Sequence, residues 1–532
     1  MPVPDLRGHG PSDHLQEPMM PSVRRPSARA TAALTLCAAL GLSACGGGAT
    51  SGTAASGDGR IVVGISADPT QTLPWTVTSK QAIQVLSQVY STLLDTGANS
   101  EPVAGLAELP TVSDDGLTYT FTLKQGVTFS DGSALDSTDV KHTFETIMDP
   151  ESKATSASYF ASVASVEAPD AQTVVVTLSR PDASFPSGLT GTNTGIVPSD
   201  ADPATLEKTP LGSGPYAWDT RTPNQSITLK RNDSYYGGTP GAAGLEFRVI
   251  PDEQAMVSAL RTGAVDLTVL DDPITARTAG TGKVTSTAVD SLSYHALQLR
   301  ASSPTLSDVN TRLAIQCAVS RQEVVDSAAL GAGEVTGPIT SPQYRSDPAA
   351  QPCPEQDLAK AKQYLAAAGT PDGFDLKLMT SQGLYSTAVD EAQAIQAQLG
   401  KVGIRVQLES LDSGDYVDRW LAGDFDAAIA LNGGSADPNT MYARYFTSKG
   451  SFQKVAGYSS PSLDRLFTEG VATTDPAERK AVYAQVSDEL VDQAAWVWLF
   501  TPKLFLVHDS AMQGLEARTD ASLSTLWKAS LG

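Results

Sequence analysis

Residues 117–124 alternate apolar and polar side chains, which sets Leu117, Tyr119, Phe121 and Leu123 on one face of a half-buried strand. Asp115-Gly116 and Asp131-Gly132 bracket this segment and the following Val127-Thr128-Phe129 as turns, predicting an antiparallel arrangement. Asp136 then stands where a helix N-cap belongs, with Asp139 three residues on to favour the helix dipole, and Val140, Phe144 and Ile147 stripe that helix. Elsewhere the apolar pattern changes period. Residues 61–65 read as a buried strand, followed by a loop through Pro69, Pro74 and Trp75 and a helix carrying Ile83, Val85 and Leu86. Residues 245–250, 253–262 and 265–270 form a strand, a helix ended by Gly263 and a second strand, a crossover unit that builds parallel sheet. Residues 376–379, 387–400 and 404–408 repeat the unit in the second half, and 357–368 read as an amphipathic helix ended by Gly369. The pattern therefore predicts two α/β lobes.

Length and composition narrow the class. At roughly 150 residues per domain, 532 residues predict about three domains. With 41% hydrophobic and 18% charged residues the bulk of the chain reads as folded and globular. A formal charge of −22 repels phosphate backbones and anionic headgroups, which argues against nucleic acid as a partner.

The N-terminus departs from this pattern. Arg24, Arg25 and Arg29 precede an apolar, small-residue run over 30–41, too short to span a bilayer and matching an export signal. Leu42-Ser43-Ala44-Cys45 follows at once and resembles the bacterial lipobox, which implies cleavage before Cys45 and a diacylglycerol on its sulfur. Translation starts at Met1, Met19 or Met20. Residues 46–58 read as a flexible tether of small residues. Of the four cysteines, Cys317 and Cys353 remain for the mature body, and they either pair under oxidising conditions or stay as free thiols.

The order of further motifs resembles the family 5 extracellular solute-binding proteins, the group that includes dipeptide, oligopeptide and nickel receptors of ABC importers. The match runs from Ala107-Glu108-Leu109-Pro110 and 113–132 to Asp139-Val140-Lys141, then through 210–216, 260–266, 357–362 with Ala368-Gly369, 423–426 and Asp437-Pro438. The resemblance implies an α/β two-lobed clamp of the class II periplasmic-binding type, with a smaller domain inserted in the first lobe. Residues 1–44 are then the signal peptide and 45–59 the tether. Residues 60–96 and 209–292 form the first lobe around an inserted domain at 97–208, 293–500 form the second lobe, and 501–532 return to the first. It further implies a lipid-anchored, extracytoplasmic monomer that captures a peptide or similar solute and hands it to separate permease and ATPase chains, since no Gly-x-x-x-x-Gly-Lys-Ser/Thr loop is present. Neither a cofactor nor a metal is expected.

Carried over residue by residue, the resemblance lines the cleft with Leu73, Pro74, Trp75, Thr76, Val77, Tyr385, Asn432, Gly433, Gly434, Ser435 and Asp437. Trp75 reads equally as a stacking surface or as core, and Asp437 also as a helix cap. One departure matters. Dipeptide and oligopeptide receptors place a Trp and then an Asp in this stretch, the Asp pairing with the peptide's α-amino group, and here Leu431 and Gly434 occupy those positions. Asp437 or Asp412 would have to substitute.

Two rival readings are weaker. A hydrolase needs a nucleophile with a base, but His142, His295 and His508 are scattered and Gly212-Ser213-Gly214 lacks the fuller nucleophile-elbow pattern. A metal receptor needs clustered ligands, which the sequence does not display, although a chelated metal or an oligosaccharide remains a rival solute. Because an ammonium buried without a carboxylate loses several kcal/mol, ordinary dipeptides are expected to bind weakly. Calorimetry giving submicromolar affinity for them would contradict this.

Overall fold

The structure, a computed structural model, describes residues 59–532 except 517, 520 and 521. The export signal, Cys45 and nearly all of the tether lie outside the described residues.

Hydrophobic alternation builds the central sheet. In strand Arg60–Ile65, Ile61, Val63 and Ile65 enter one apolar core and Val62 enters another on the opposite face. The strand pairs in parallel with Gly244–Val249 on one side and Leu267–Leu270 on the other. Helix Glu253–Thr262 makes the crossover between them, capped by Asp252 and ended by Gly263 in the left-handed conformation. The hairpin Tyr216–Thr222 and Ser226–Arg231 extends this half of the sheet antiparallel to Gly244–Val249.

The second lobe is assembled in the same way. Strands Asp375–Gln382 and Arg405–Asp412 pair in parallel, with helix Ala388–Gly400 between them in sequence. Ala427–Asn432 pairs with Asp375–Gln382 in parallel and with Tyr294–Leu299 antiparallel. Tyr294 and Ala296 face one core of this lobe, while Leu297 and Leu299 face the other.

One strand of 14 residues, Trp496–Asp509, belongs to both lobes. Its first part pairs with Tyr294–Leu299 in the second lobe. Its later part pairs with Leu267–Leu270 in the first lobe and with Val284–Asp290. The chain therefore passes between lobes at 290–294 and again near 500–503.

A separate antiparallel sheet orders Thr111–Val112, Thr118–Thr122, Thr173–Leu178 and Val163–Asp170. Tyr119 and Phe121 are buried as the alternation predicts, but in the same core as Ile61 and Val63, so this sheet shares the first lobe's interior. The expected pairing of Val127-Thr128-Phe129 is corrected. Gly126, with φ of +71°, turns the chain out of the ladder, and Thr173–Leu178 takes the place beside Thr118–Thr122. Helix Ser137–Met148 carries the Asp136/Asp139 capping box. Farther along, the Ala183 N–H donates to the Val471 carbonyl of the second lobe at 2.7 Å, so the small sheet's loop reaches across.

Cys317 and Cys353 form a disulfide that ties helix Val309–Ala318 to the segment before helix Leu358–Ala367. Among the described residues no helix is long and apolar enough to cross a membrane. Closing a loop with a sequence separation of 36 residues restricts the unfolded chain. Replacing both cysteines with serine is expected to cost about 3 to 4 kcal/mol, read as a lower urea midpoint under non-reducing conditions.

Candidate functional site: the interlobe cleft

Two adjoining chambers lie between the lobes and share Ile83, Leu292 and Gly434 in their walls. The larger is about 800 Å³ and is lined from the first lobe by Lys80, Glu253 and Pro273 and from the second by His295, Tyr385 and Leu431, with Leu292, Pro502 and Lys503 at the crossings. The smaller is about 310 Å³. Serine and threonine hydroxyls such as Ser187, Thr190 and Ser435 dominate its wall, and among the described residues Asp95 is its only lining carboxylate.

The larger chamber is chiefly apolar, and its formal charges are matched within the protein. Lys80 Nζ lies 2.6 Å from Asp271, and Lys503 pairs with Asp290 and lies 4.0 Å from Glu334. Glu253 accepts the backbone N–H groups of Asp271 and Asp272. Burial raises the Glu253 pKa above the ordinary value, and those two hydrogen bonds oppose the rise. Asp272 caps helix Pro273–Ala279. Leu384 and Leu431, both in this wall, remain 44% and 40% exposed, an apolar surface of the kind that marks a ligand groove.

The predicted site residues separate into those at the cleft and those behind it. Val77, Tyr385, Gly433, Gly434 and Ser435 line the chambers. Leu73, Pro74, Trp75 and Thr76 line neither, which corrects the expectation for them. The 3₁₀ turn Pro74–Thr76 drives Pro74 and Trp75 into the first lobe's core, and Thr155 holds the carbonyls of Trp75 and Val77. The cleft wall is supplied by the next residues, Thr78, Lys80 and Ile83. Asn432 also lies behind the wall, where it is buried and its side-chain oxygen accepts from Gln298 at 3.0 Å. Tyr385 presents its ring rather than its hydroxyl. Among the described residues the buried hydroxyl has no hydrogen-bond partner, and burial, then the nearby Glu391, push its pKa well above the ordinary value.

Position 434 has no room for the family's carboxylate. A Cβ on Gly434 would stand 1.8 Å from the Leu292 carbonyl oxygen, so any side chain there strikes the interlobe crossing. Nor does Asp437 or Asp412 substitute. Asp412 caps helix Ser413–Ala422 and lines neither chamber. Asp437 is 1% exposed, caps helix Pro438–Phe446 and accepts from Arg479 at 2.7 Å, which corrects its assignment to the ligand.

Arg479 in turn donates to the Gly470 carbonyl and the Tyr344 hydroxyl and lies over the rings of Tyr344 and Tyr483. Burial disfavours its charge, but Asp437, Tyr483 and Tyr344 together outweigh this and hold its pKa above the ordinary value. The pair fixes one end of the loop that carries Gly433–Ser435.

The sequence reading did not assign Lys80, Glu253, Leu292, His295 or Glu391 to the cleft. A histidine within segment 294–299, where Gln298 is the other polar side chain apart from the tyrosine hydroxyl, was the one available signal. Among the described residues no group of three or more His, Cys, Asp or Glu side chains is placed to hold a metal ion. Removing one member of a buried ion pair strands the other charge. Arg479→Met is therefore expected to cost about 3 to 5 kcal/mol, measured by urea denaturation, and a loss below 1 kcal/mol would refute the pairing.

Comparison with known proteins places this geometry. The profile described as bacterial extracellular solute-binding proteins, family 5 (middle), matches residues 101–453. The glutathione-binding protein GsiB of Salmonella typhimurium is 26% identical over 493 residues, covering 87% of this chain and 93% of that protein. The crystal structure of the ABC transporter substrate-binding protein CtaP from Listeria monocytogenes superposes with a TM-score of 0.81 at 23% identity, covering 89% of this chain and 99% of that one. The oligopeptide-binding protein AppA of Bacillus subtilis, solved with a nonapeptide, gives 0.72 at 25% identity, covering 89% and 99%. With its two lobes, its cleft and a profile match over most of its length, this chain belongs to the bacterial extracellular solute-binding proteins of family 5.

Proposed function

We propose that this protein is the substrate-binding subunit of an ABC importer, that it captures a peptide or peptide-like solute between its lobes, and that it presents the solute to a separate permease and ATPase. The observation that carries the reading is the interlobe cleft, with chambers of about 800 Å³ and 310 Å³, in a chain of this family. That space suits a short peptide and lies within the range of small-molecule sites. The similarity to a protein named for glutathione and to one solved with a nonapeptide supports the same class. Capture works by population shift: a solute touching both lobes favours the closed form by its differential affinity for it. In this reading the protein acts as a monomer on the outer face of the membrane, held through a lipid on Cys45.

A second reading, a non-peptide solute such as an oligosaccharide or a chelated metal, draws support from Gly434, where the carboxylate that pairs with a peptide amine has no room. Native mass spectrometry separates the two. Incubation with a mixed library of peptides of about two to five residues, beside an oligosaccharide library, is expected to leave a peptide on the protein. Retention of a sugar alone, or of nothing, would overturn the peptide reading.

A further inference from the structure

The carboxylates that line the larger chamber are already held within the protein. Both oxygens of Asp271 accept from Lys80. Glu253 takes one backbone N–H on each of its oxygens, and Asp272 accepts from the N–H groups of Ile274 and Thr275 and from the Thr275 hydroxyl. The remaining lysine of that wall, Lys503, is paired with Asp290.

Asp95, in the smaller chamber, is the exception. It lies on the short strand Leu94–Thr96, where alternation buries Leu94 in the first lobe's core and leaves Asp95 exposed. Its Oδ1 accepts the N–H of Thr96 at 2.7 Å, and among the described residues its Oδ2 has no hydrogen-bond or ion-pair partner. Arg518 donates to the neighbouring Thr96 carbonyl, yet among the described residues it forms no ion pair with Asp95.

The second lobe faces the same space. Gly434 and Ser435 line this chamber together with Asp95, so a solute group that touches their loop has entered the chamber that holds the unpaired carboxylate. The acid for which position 434 has no room is thereby present on the first lobe instead. Leu292 and Ile83 continue from this chamber into the larger one, where Leu384 and Leu431 add exposed apolar surface.

We infer that Asp95 accepts the protonated amino group of the solute in the smaller chamber, while the apolar remainder of that solute lies against Leu292, Leu384 and Leu431 in the larger one. The inference rests on the solute-binding reading above and adds to it the anchoring residue and the class of solute, an amine with an apolar body. An ammonium brings three N–H donors. Asp95 Oδ2 takes one, and the hydroxyl oxygens of Thr190 and Thr192, which line this chamber and a small adjoining hollow together with Asp95, offer acceptors for the others. Such charge-assisted bonds are stronger than neutral ones. An exposed pair is worth little in water, but the attraction grows as the solute displaces water from around the carboxylate. A dipeptide anchored here leaves most of the larger chamber unfilled, so the weak binding expected of dipeptides stands, and a longer chain gains from both chambers.

Native mass spectrometry of the full chain tests this with tri- to pentapeptides of Gly, Ala, Leu and Phe, each supplied with a free and with an N-acetylated amino terminus. In that set the terminal amine is the only cation. The wild-type protein is expected to retain the free-amine forms about tenfold over the acetylated ones. Asp95→Asn keeps an oxygen for the Thr96 N–H and removes the charge, so it should abolish the preference without lowering the thermal unfolding temperature; Asp95→Ser takes its place if it unfolds earlier. A merely structural role would weaken both forms alike. Equal retention of the two forms by the wild-type protein, a preference that survives the substitution, or equal loss of both forms on substitution would overturn the inference and spare the peptide reading. Retention of no peptide in either form would overturn the peptide reading and the inference with it.

Discussion

The shared strand Trp496–Asp509 is the constraint on which the rest of the clamp depends. Trp496 and Trp498 point into one core of the second lobe, while Val497, Leu499 and Phe500 point into the other. A few residues later Leu506 and Val507 are divided between the two cores of the first lobe. A strand anchored this way cannot leave either sheet without losing ladder hydrogen bonds and buried apolar surface together. Relative motion is therefore confined to the crossings at 290–294 and 500–503, where Pro502 donates no backbone hydrogen bond. Leu292, Phe500, Pro502 and Lys503 are the residues that floor the larger chamber, so the position of the cleft follows from the position of the crossings.

The same constraint explains the loop opposite. Gly434 sits against the Leu292 carbonyl so closely that no side chain fits, and Asp437 three residues on is locked by Arg479. The loop is thus pressed against the crossing at one point and pinned to a helix at another. A segment held at both ends presents backbone and small side chains to the solute in a fixed geometry, which limits the entropy lost on binding.

Much of this architecture was legible in the sequence because it is written in local periods. The alternation of 117–123, the cap at Asp136, and the crossover helices ended at Gly263 and before Gly403 are each decided by residues within a turn or two of one another. What local pattern does not encode is which distant surface an element meets. Trp75 in a proline-rich loop reads the same whether it faces a cleft or a core, and the 3₁₀ turn that sends it inward is fixed in part by Thr155, far along the chain. Val127 and Phe129 are buried as apolar residues should be, yet Gly126 and the competing strand Thr173–Leu178 remove them from the ladder. The partner of Asp437 is 42 residues away, and nothing near the Asp-Pro landmark announces it.

Two buried carboxyl groups of the second lobe are held in different ways. Asp437 spends both oxygens inside the protein, one on the backbone N–H groups that begin a helix and the other on an arginine that also donates to the Gly470 carbonyl and the Tyr344 hydroxyl. A site completed in this way has nothing left to offer a solute, and its role is to hold the loop. Glu391 is equally buried, but among the described residues its carboxyl group accepts only from the Thr387 hydroxyl, with His295 Nδ1 2.8 Å away and out of line for a hydrogen bond. The His295 ring beside it forms part of the chamber wall.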